Sequence, residues 1–218
     1  MVLIRRGQQA ATAAPLSQRQ AQSRPDFALW PAGAYLLLVA LFVAGASVLA
    51  WPLPESAFRS DNSPISWLSS AQLWAMSILA IRLGNERVLR LPLALWLAAA
   101  MAALAFDEQF MLHEQWKYGC GAWFSVCRYR WVTELPMLLV GALGVLSAVW
   151  LQLTLPRGQA RMLLWLAIGI GLTALCLDLH ALFDALLPFE EGVEVLAEAL
   201  FMGTLLGLRL QSPERNHQ

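Results

Sequence analysis

Leu135–Leu155, LPMLLVGALGVLSAVWLQLTL, contains no charged residue, and its polar interruptions are limited to Ser, Gln and Thr. A helix needs about 20 apolar residues to cross the hydrocarbon core of a bilayer, and this stretch is long enough. Its apolar residues are continuous rather than alternating in period two. That pattern sets aside a β-barrel, the other architecture that satisfies its backbone inside lipid. Working outward, five more stretches read the same way: Ala32–Ala50, Pro64–Ile81, Leu91–Phe106, Met162–Leu182 and Val193–Leu208. The whole chain is 58% hydrophobic and 14% charged, whereas a soluble domain carries about a quarter charged residues. The expected fold class is all-α, a polytopic membrane protein with a six-helix transmembrane bundle and both termini cytoplasmic. Residues 1–28 are polar and rich in Gln, Ala and Arg, with no apolar core of a signal peptide. They read as a disordered cytoplasmic tail, followed by the transmembrane domain at 29–210 and a second cytoplasmic tail at 211–218.

Formal net charge is zero, so nothing in the composition points to nucleic acid. The distribution of charge is more informative. With six spans, Arg5, Arg6, Arg19, Arg24, Arg82, Arg87, Arg90, Arg157, Arg161, Arg209 and Arg215 share one side. Arg59, Lys117, Arg128 and Arg130 lie on the other. Basic residues in short loops remain cytoplasmic, which puts the loops around 52–63, 115–133 and 183–190 outside. The acids are distributed the opposite way. Only Asp26, Glu86 and Glu214 fall inside, and the rest lie outside or in the outer halves of helices. The expected location is the cell inner (plasma) membrane, multi-pass. The second segment is the weakest span, because it contains several Ser and a Gln.

Carboxylates are costly near lipid, and an intramembrane ionisable group is a functional-site hypothesis by default. The set is Asp107, Glu108, His113 and Glu114 in FDEQFMLHEQW, Glu134, then Asp178, His180 and Asp184 in DLHALFD, and Glu190, Glu191, Glu194 and Glu198 in EEGVEVLAE. On one continuous helix Asp107 and Glu114 align within about 20°, with His113 about 120° from Asp107. His180 and Asp184 share a face at i, i+4. Glu191, Glu194 and Glu198 form a stripe at i, i+3, i+7. The six-span topology brings the outer ends of the third to sixth helices to one layer. Glu134, Glu190 and Glu191 have a simpler explanation as acids at helix starts.

Ionised and unpaired, these carboxylates repel one another. Arg128 and Arg130 would compensate a few, and a divalent cation more. Carboxylates with imidazoles suit Zn, Fe or Mn, and helical bundles hold two-metal sites with inward Asp, Glu and His. The metal-ligand set read from the sequence is Asp107, Glu114, His180, Asp184, Glu194 and Glu198. Glu108, His113, Asp178 and Glu191 are additional candidates, and Asp107, Glu114 and Glu194 are the candidate catalytic groups. The Glu-x-x-His pair of soluble di-iron bundles is absent. So is the several-histidine pattern of six-to-seven-helix metallohydrolases of the ceramidase and adiponectin-receptor type. No P-loop, dinucleotide fingerprint, GxSxG or CxxC is present.

Three functions compete. The first is a metal-dependent membrane enzyme acting on a lipid or lipid-linked substrate, either a hydrolase whose divalent metal activates water or a di-metal oxidase. The second is a divalent-cation or proton-coupled transporter, or a metal-handling protein. Against it, the inner halves of the helices offer no polar through-path. The third is a non-catalytic membrane assembly subunit.

Cys120 and Cys127 share the external loop KYGCGAWFSVCRYR. A disulfide over the mouth of the acidic cluster is the first expectation, two thiols the second and a metal-thiolate role the third. Cys176 is expected to pack as a small hydrophobe. Gly203 and Gly207 form a GxxxG suited to close helix contact, either within the protomer or in a homodimer or with a membrane partner. Trp30, Trp51, Trp67, Trp116, Trp123 and Trp131 fall where aromatic belts meet the membrane interface, with membrane lipids as their partners. Trp74, Trp96, Trp150 and Trp165 fall deeper and are expected to pack.

Overall fold

The computed structural model describes residues 29–58, 63–155, 158–179 and 187–211, without the side chains of Arg130, Asp178, Leu179, residues 187–189 and Gln211. The expected tail at 1–28 lies outside these residues, as does nearly all of that at 211–218. No strand occurs among the described residues. The chain runs α1 (Trp30–Leu49), a 3-10 turn (Pro54–Ala57), α2 (Pro64–Asn85), α3 (Leu91–Phe110) and α4 (Leu112–Trp123). A second 3-10 turn (Ser125–Arg128) follows, then α5 (Arg130–Thr133), α6 (Leu135–Thr154), α7 (Gln159–Leu179) and α8 (Leu187–Gln211).

Among the described residues five helices, α1, α2, α3, α6 and α7, are long and apolar enough to cross a membrane. The sixth expected segment is also a long helix, α8, with 25 residues. It fails the same test of composition because of its charges: Glu190 and Glu191 crowd its start, and even its final stretch holds Glu194, Glu198 and Arg209. Proline marks the first turns of α1, α2, α3 and α6, where its missing N–H costs nothing. Ser63 caps α2 by accepting a 3.1 Å hydrogen bond from the Ser66 amide. At its other end α2 closes in a Schellman turn. Arg87 sits at φ 57°, the Val88 amide donates to Leu83 O at 2.9 Å, and the Arg87 amide donates to Gly84 O at 3.1 Å.

The polar residues that weakened the second segment as a span are its packing surface. Ser70 donates to the carbonyl of Ala105 at 3.2 Å and Ser77 to that of Ala98 at 2.8 Å. A Cβ on Gly84 would stand 2.6 Å from the Ala94 Cβ. Ser70, Ser77 and Gly84 recur every seven residues, so one face of α2 presents small residues to the antiparallel α3. Small residues permit close backbone approach, and hydroxyls bonded to carbonyls are satisfied without water.

α8 packs against α1, α2 and α7, with Val195, Ala199 and Leu205 buried. Gly203 abuts α1, where an added Cβ would stand 2.7 Å from the Ala32 Cβ and 3.0 Å from its Cα. Gly207 is buried as well. Gly203 thus makes a close helix contact within the protomer. Glu198 bonds to Ser69 and Gln72 at one level of the bundle, and the Arg209 guanidinium meets Glu86 at 3.5 Å at another. These two levels make α2 and α8 parallel and place Glu86 and Arg209 at the same end, as the charge distribution requires.

The periphery is apolar. Leu37, Leu38, Leu41 and Phe42 on α1 and Leu138, Leu139, Leu143, Leu146 and Leu153 on α6 are exposed, apolar faces of a kind that water-soluble monomers rarely present. Trp74, Trp96, Trp150 and Trp165 are all exposed in part, although Trp74 packs edge-on against Phe106 with ring centroids 6.0 Å apart. Trp96 is anchored at its indole nitrogen, which donates to Ser147 Oγ at 2.7 Å and ties α3 to α6. Cys176 is exposed on α7 rather than packed inside.

Candidate functional site

α2 supplies the neutral side of the site. Ser66, Ser69 and Gln72 lie three residues apart, a spacing that keeps them on one slowly turning face. Ser66 Oγ donates to Glu108 Oε1 of α3 at 2.9 Å. Ser69 Oγ donates to Glu198 Oε1 of α8 at 2.7 Å, and Gln72 Nε2 donates to Glu198 Oε2 at 3.1 Å. Glu198 is 8% exposed and Gln72 1%. The second polar atom of Gln72, Oε1, is buried without a hydrogen-bond partner among the described residues. Buried polar atoms are rarely left so.

The acids gather around this face. Glu194 precedes Glu198 by one turn of α8 and is exposed. Glu108, Glu190, Glu191 and His113 lie within its electrostatic reach. Glu198 senses Glu194, Glu108 and Glu191 in turn, and Tyr35 of α1 lies within its electrostatic reach. Among the described residues, no Lys, Arg or His forms an ion pair with Glu108, Glu194 or Glu198. Three carboxylates from two helices thus share one polar layer, in which hydroxyl and amide donors hold Glu108 and Glu198.

The expected alignment of Asp107 with Glu114 fails because the helix carrying them is broken. Met111 adopts the left-handed conformation, φ 50° and ψ 44°, ending α3 and starting α4. Helical phase relates residues only along an unbroken helix, so both the 20° figure and the 120° offset of His113 lose their basis. Asp107 reaches across the break to His113 instead. Its Oδ1 accepts the His113 amide at 2.9 Å, and its Oδ2 lies 2.8 Å from His113 Nδ1. With the carboxylate as acceptor, Nδ1 carries the proton. Glu114 sits beyond the break on α4, partly buried and within electrostatic reach of Glu108.

Beyond the break, α4, the 3-10 turn Ser125–Arg128 and α5 form a small cap between α3 and α6. Cys120 and Cys127 lie at disulfide distance, Cα–Cα 5.7 Å, and form a miniature core with Val132 and Trp116. The Trp116 indole donates to Val132 O at 2.9 Å, so this ring faces the cap interior and not an aromatic belt. Lys117 pairs with Glu134 at 3.7 Å, both side chains largely buried, which assigns Glu134 to the cap. The cap rests on α3 and α6. Among the described residues its first turn, through His113 and Glu114, adjoins the acidic layer.

His180 and Asp184 lie outside the described residues, as does the side chain of Asp178. Of the six expected metal ligands, Asp107, Glu114, Glu194 and Glu198 are described. Among the described residues, no three His, Cys, Asp or Glu side chains converge as a metal-ligand group. An apolar groove lined by Phe42, Gly45, Ala46, Leu49, Ala50, Ser56, Ala57 and Pro64 lies beside α1 and includes none of the acids.

The sequence reading missed Ser66, Ser69, Gln72 and Tyr35. A signal existed for three of them: Ser63, Ser66, Ser69 and Gln72 recur every third residue within an apolar helix. Comparison with known protein families, with characterised proteins and with solved structures finds no match for this chain.

Proposed function

We propose that the chain is a six-span protein of the inner (plasma) membrane, with both termini cytoplasmic and α8 as the sixth span. Its acidic layer, open to the outer face, serves as a cation-handling site. The observation that carries this reading is Glu198: buried in the bundle, bonded among the described residues to the neutral donors Ser69 and Gln72 alone, with Glu108 and Glu194 in reach. Intramembrane acids mark ion and substrate sites, and a cation is the economical way to hold several of them together. The unpartnered Gln72 Oε1 adds a neutral oxygen donor beside them, of the type hard divalent cations accept. Glu194, exposed one turn above, is the point of access.

The metal-dependent hydrolase or oxidase is the second reading. It draws on His180 and Asp184 as further ligands, because the described residues do not assemble a three-ligand centre by themselves. A single comparison addresses both readings. Full-length protein is purified without chelators, its metal content is measured by mass spectrometry, and it is titrated calorimetrically with Mn²⁺, Zn²⁺ and Ca²⁺. The same is done for Glu198→Gln, Glu194→Gln and His180→Ala. Binding lost in the two glutamate variants and retained in His180→Ala supports the cation site. Binding lost in all three supports the metal centre with histidine. No binding to the wild type sinks both.

A further inference from the structure

The cap leaves nearly all its large side chains facing outward. Its core consists of Cys120, Cys127, Val132 and part of Trp116. Around that core Trp123 is 82% exposed, Tyr118 79% and Trp131 63%, and Tyr129, Phe124, Val126 and Leu112 are also exposed. A segment this short cannot hold so many large rings in water on the strength of its own core, and the disulfide fixes it in the conformation that displays them. The rings are mostly Trp and Tyr, side chains with an apolar body and a polar tip, which favour the boundary between hydrocarbon and water. They are joined by the exposed Arg128, whose Nε donates to Ser125 O at 3.0 Å.

We infer that the cap is a membrane-interface element, lying in the headgroup layer of the leaflet next to the α3 and α6 ends with Arg128 directed to lipid phosphate. Two observations select lipid over a protein partner. The cap rests on α3 and α6, and the exposed rings continue directly into the exposed apolar residues of those spans, Phe106 and Phe110 on α3 and Leu135, Leu138 and Leu139 on α6. The charge also matches. Lys117 is engaged with Glu134, while Arg128 is exposed at the edge of the aromatic surface, so an anionic headgroup is the complement. The ring-rich composition follows the rule for helices and turns that lie in the interface plane. This inference rests on α3 and α6 being membrane spans. It does not depend on the acidic site, nor on which face of the membrane the cap occupies.

The test uses full-length protein in vesicles of phosphatidylcholine and phosphatidylglycerol. Tryptophan fluorescence is quenched by lipids brominated near the glycerol or deep in the chain, and by aqueous iodide. The contribution of Trp123 and Trp131 is read as the difference between wild type and Trp123→Phe/Trp131→Phe, conservative changes at exposed positions. The expected result is that this difference is quenched by the shallow brominated lipid and not by iodide. Arg128→Gln shifts the cap outward, lowering its immersed fraction relative to the withdrawn one roughly fivefold, the factor one basic side chain contributes at an anionic surface. Quenching by iodide alone would show a solvated loop and overturn the inference. Protection from both quenchers would show the rings packed against a second copy, and would overturn it too.

Discussion

Ser69 and Glu198, separated by 129 positions in the chain, are joined by a 2.7 Å hydrogen bond inside the bundle. The bond fixes the register of α8 against α2 and defines the floor of the acidic layer. It also gives an asymmetric expectation for the two neutral partners. Ser69→Ala leaves Glu198 Oε1 buried without a donor and costs about 1–3 kcal/mol. Gln72→Leu removes one donor together with an already unpartnered acceptor, and costs less. Thermal unfolding in detergent checks the order; an equal or larger loss for Gln72→Leu would contradict it.

Gly203 and Ala32 set the distance between α8 and α1. Any side chain at 203 meets both the Cβ and the backbone of Ala32, so Gly203→Ala is expected to destabilise by about 1–3 kcal/mol, the usual cost of overpacking. Gly45→Ala, with open space around the new methyl, is expected to be neutral or stabilising, since alanine is the better helix former. The two variants measured side by side separate a packing effect from a general effect of adding methyl groups.

Asp107 acts as the clasp of the α3–α4 break through its two contacts to His113. Asp107→Ala is expected to cost about 1–2 kcal/mol, as loss of a capping side chain does. The effect should be local: amide exchange rises at Leu112, His113 and Glu114 while α3 stays protected. Uniformly faster exchange along α3 would mean that Asp107 supports the span and not the break.

Arg87 occupies a left-handed position at the end of α2, where a Cβ costs about 1–2 kcal/mol. Arg87→Gly keeps the Schellman hydrogen bonds and relieves that cost. It is expected to raise the unfolding midpoint, with part of the gain returned as backbone entropy. A lowered midpoint would place a hidden role on the guanidinium.

Reduction of Cys120–Cys127 is expected to loosen the cap and leave the bundle intact. The closed loop is short, so the constraint amounts to roughly 2–3 kcal/mol, and the cap core contains little beyond the cysteines, Val132 and Trp116. Limited proteolysis after reduction should cut between Leu112 and Thr133 while the main unfolding transition stays in place. No change in proteolysis would show that Lys117–Glu134 and the contacts with α3 and α6 hold the cap alone.

The sequence by itself determined the helical segments, because continuous apolar runs of bilayer length and proline at the first turn are local properties. Leu135–Leu155 and Leu91–Phe106 sit almost where α6 and α3 do. It made a Cys120–Cys127 disulfide the first of three expectations on short spacing, and the structure brings the two to disulfide distance. It also determined that Glu86 and Arg209 share an end, a matter of charge counted by loop. The tertiary structure alone decided which acids meet. Phase arguments reach only as far as a helix is unbroken, and one left-handed residue, Met111, detached Glu114 from Asp107 and delivered His113 to it. The azimuth of α2 left only a partial local trace, the three-residue recurrence of Ser63, Ser66, Ser69 and Gln72, which does not say which acid each donor meets. The serines that made α2 look like a poor span became the donors to Glu108 and Glu198 only when packing turned that face toward α3 and α8.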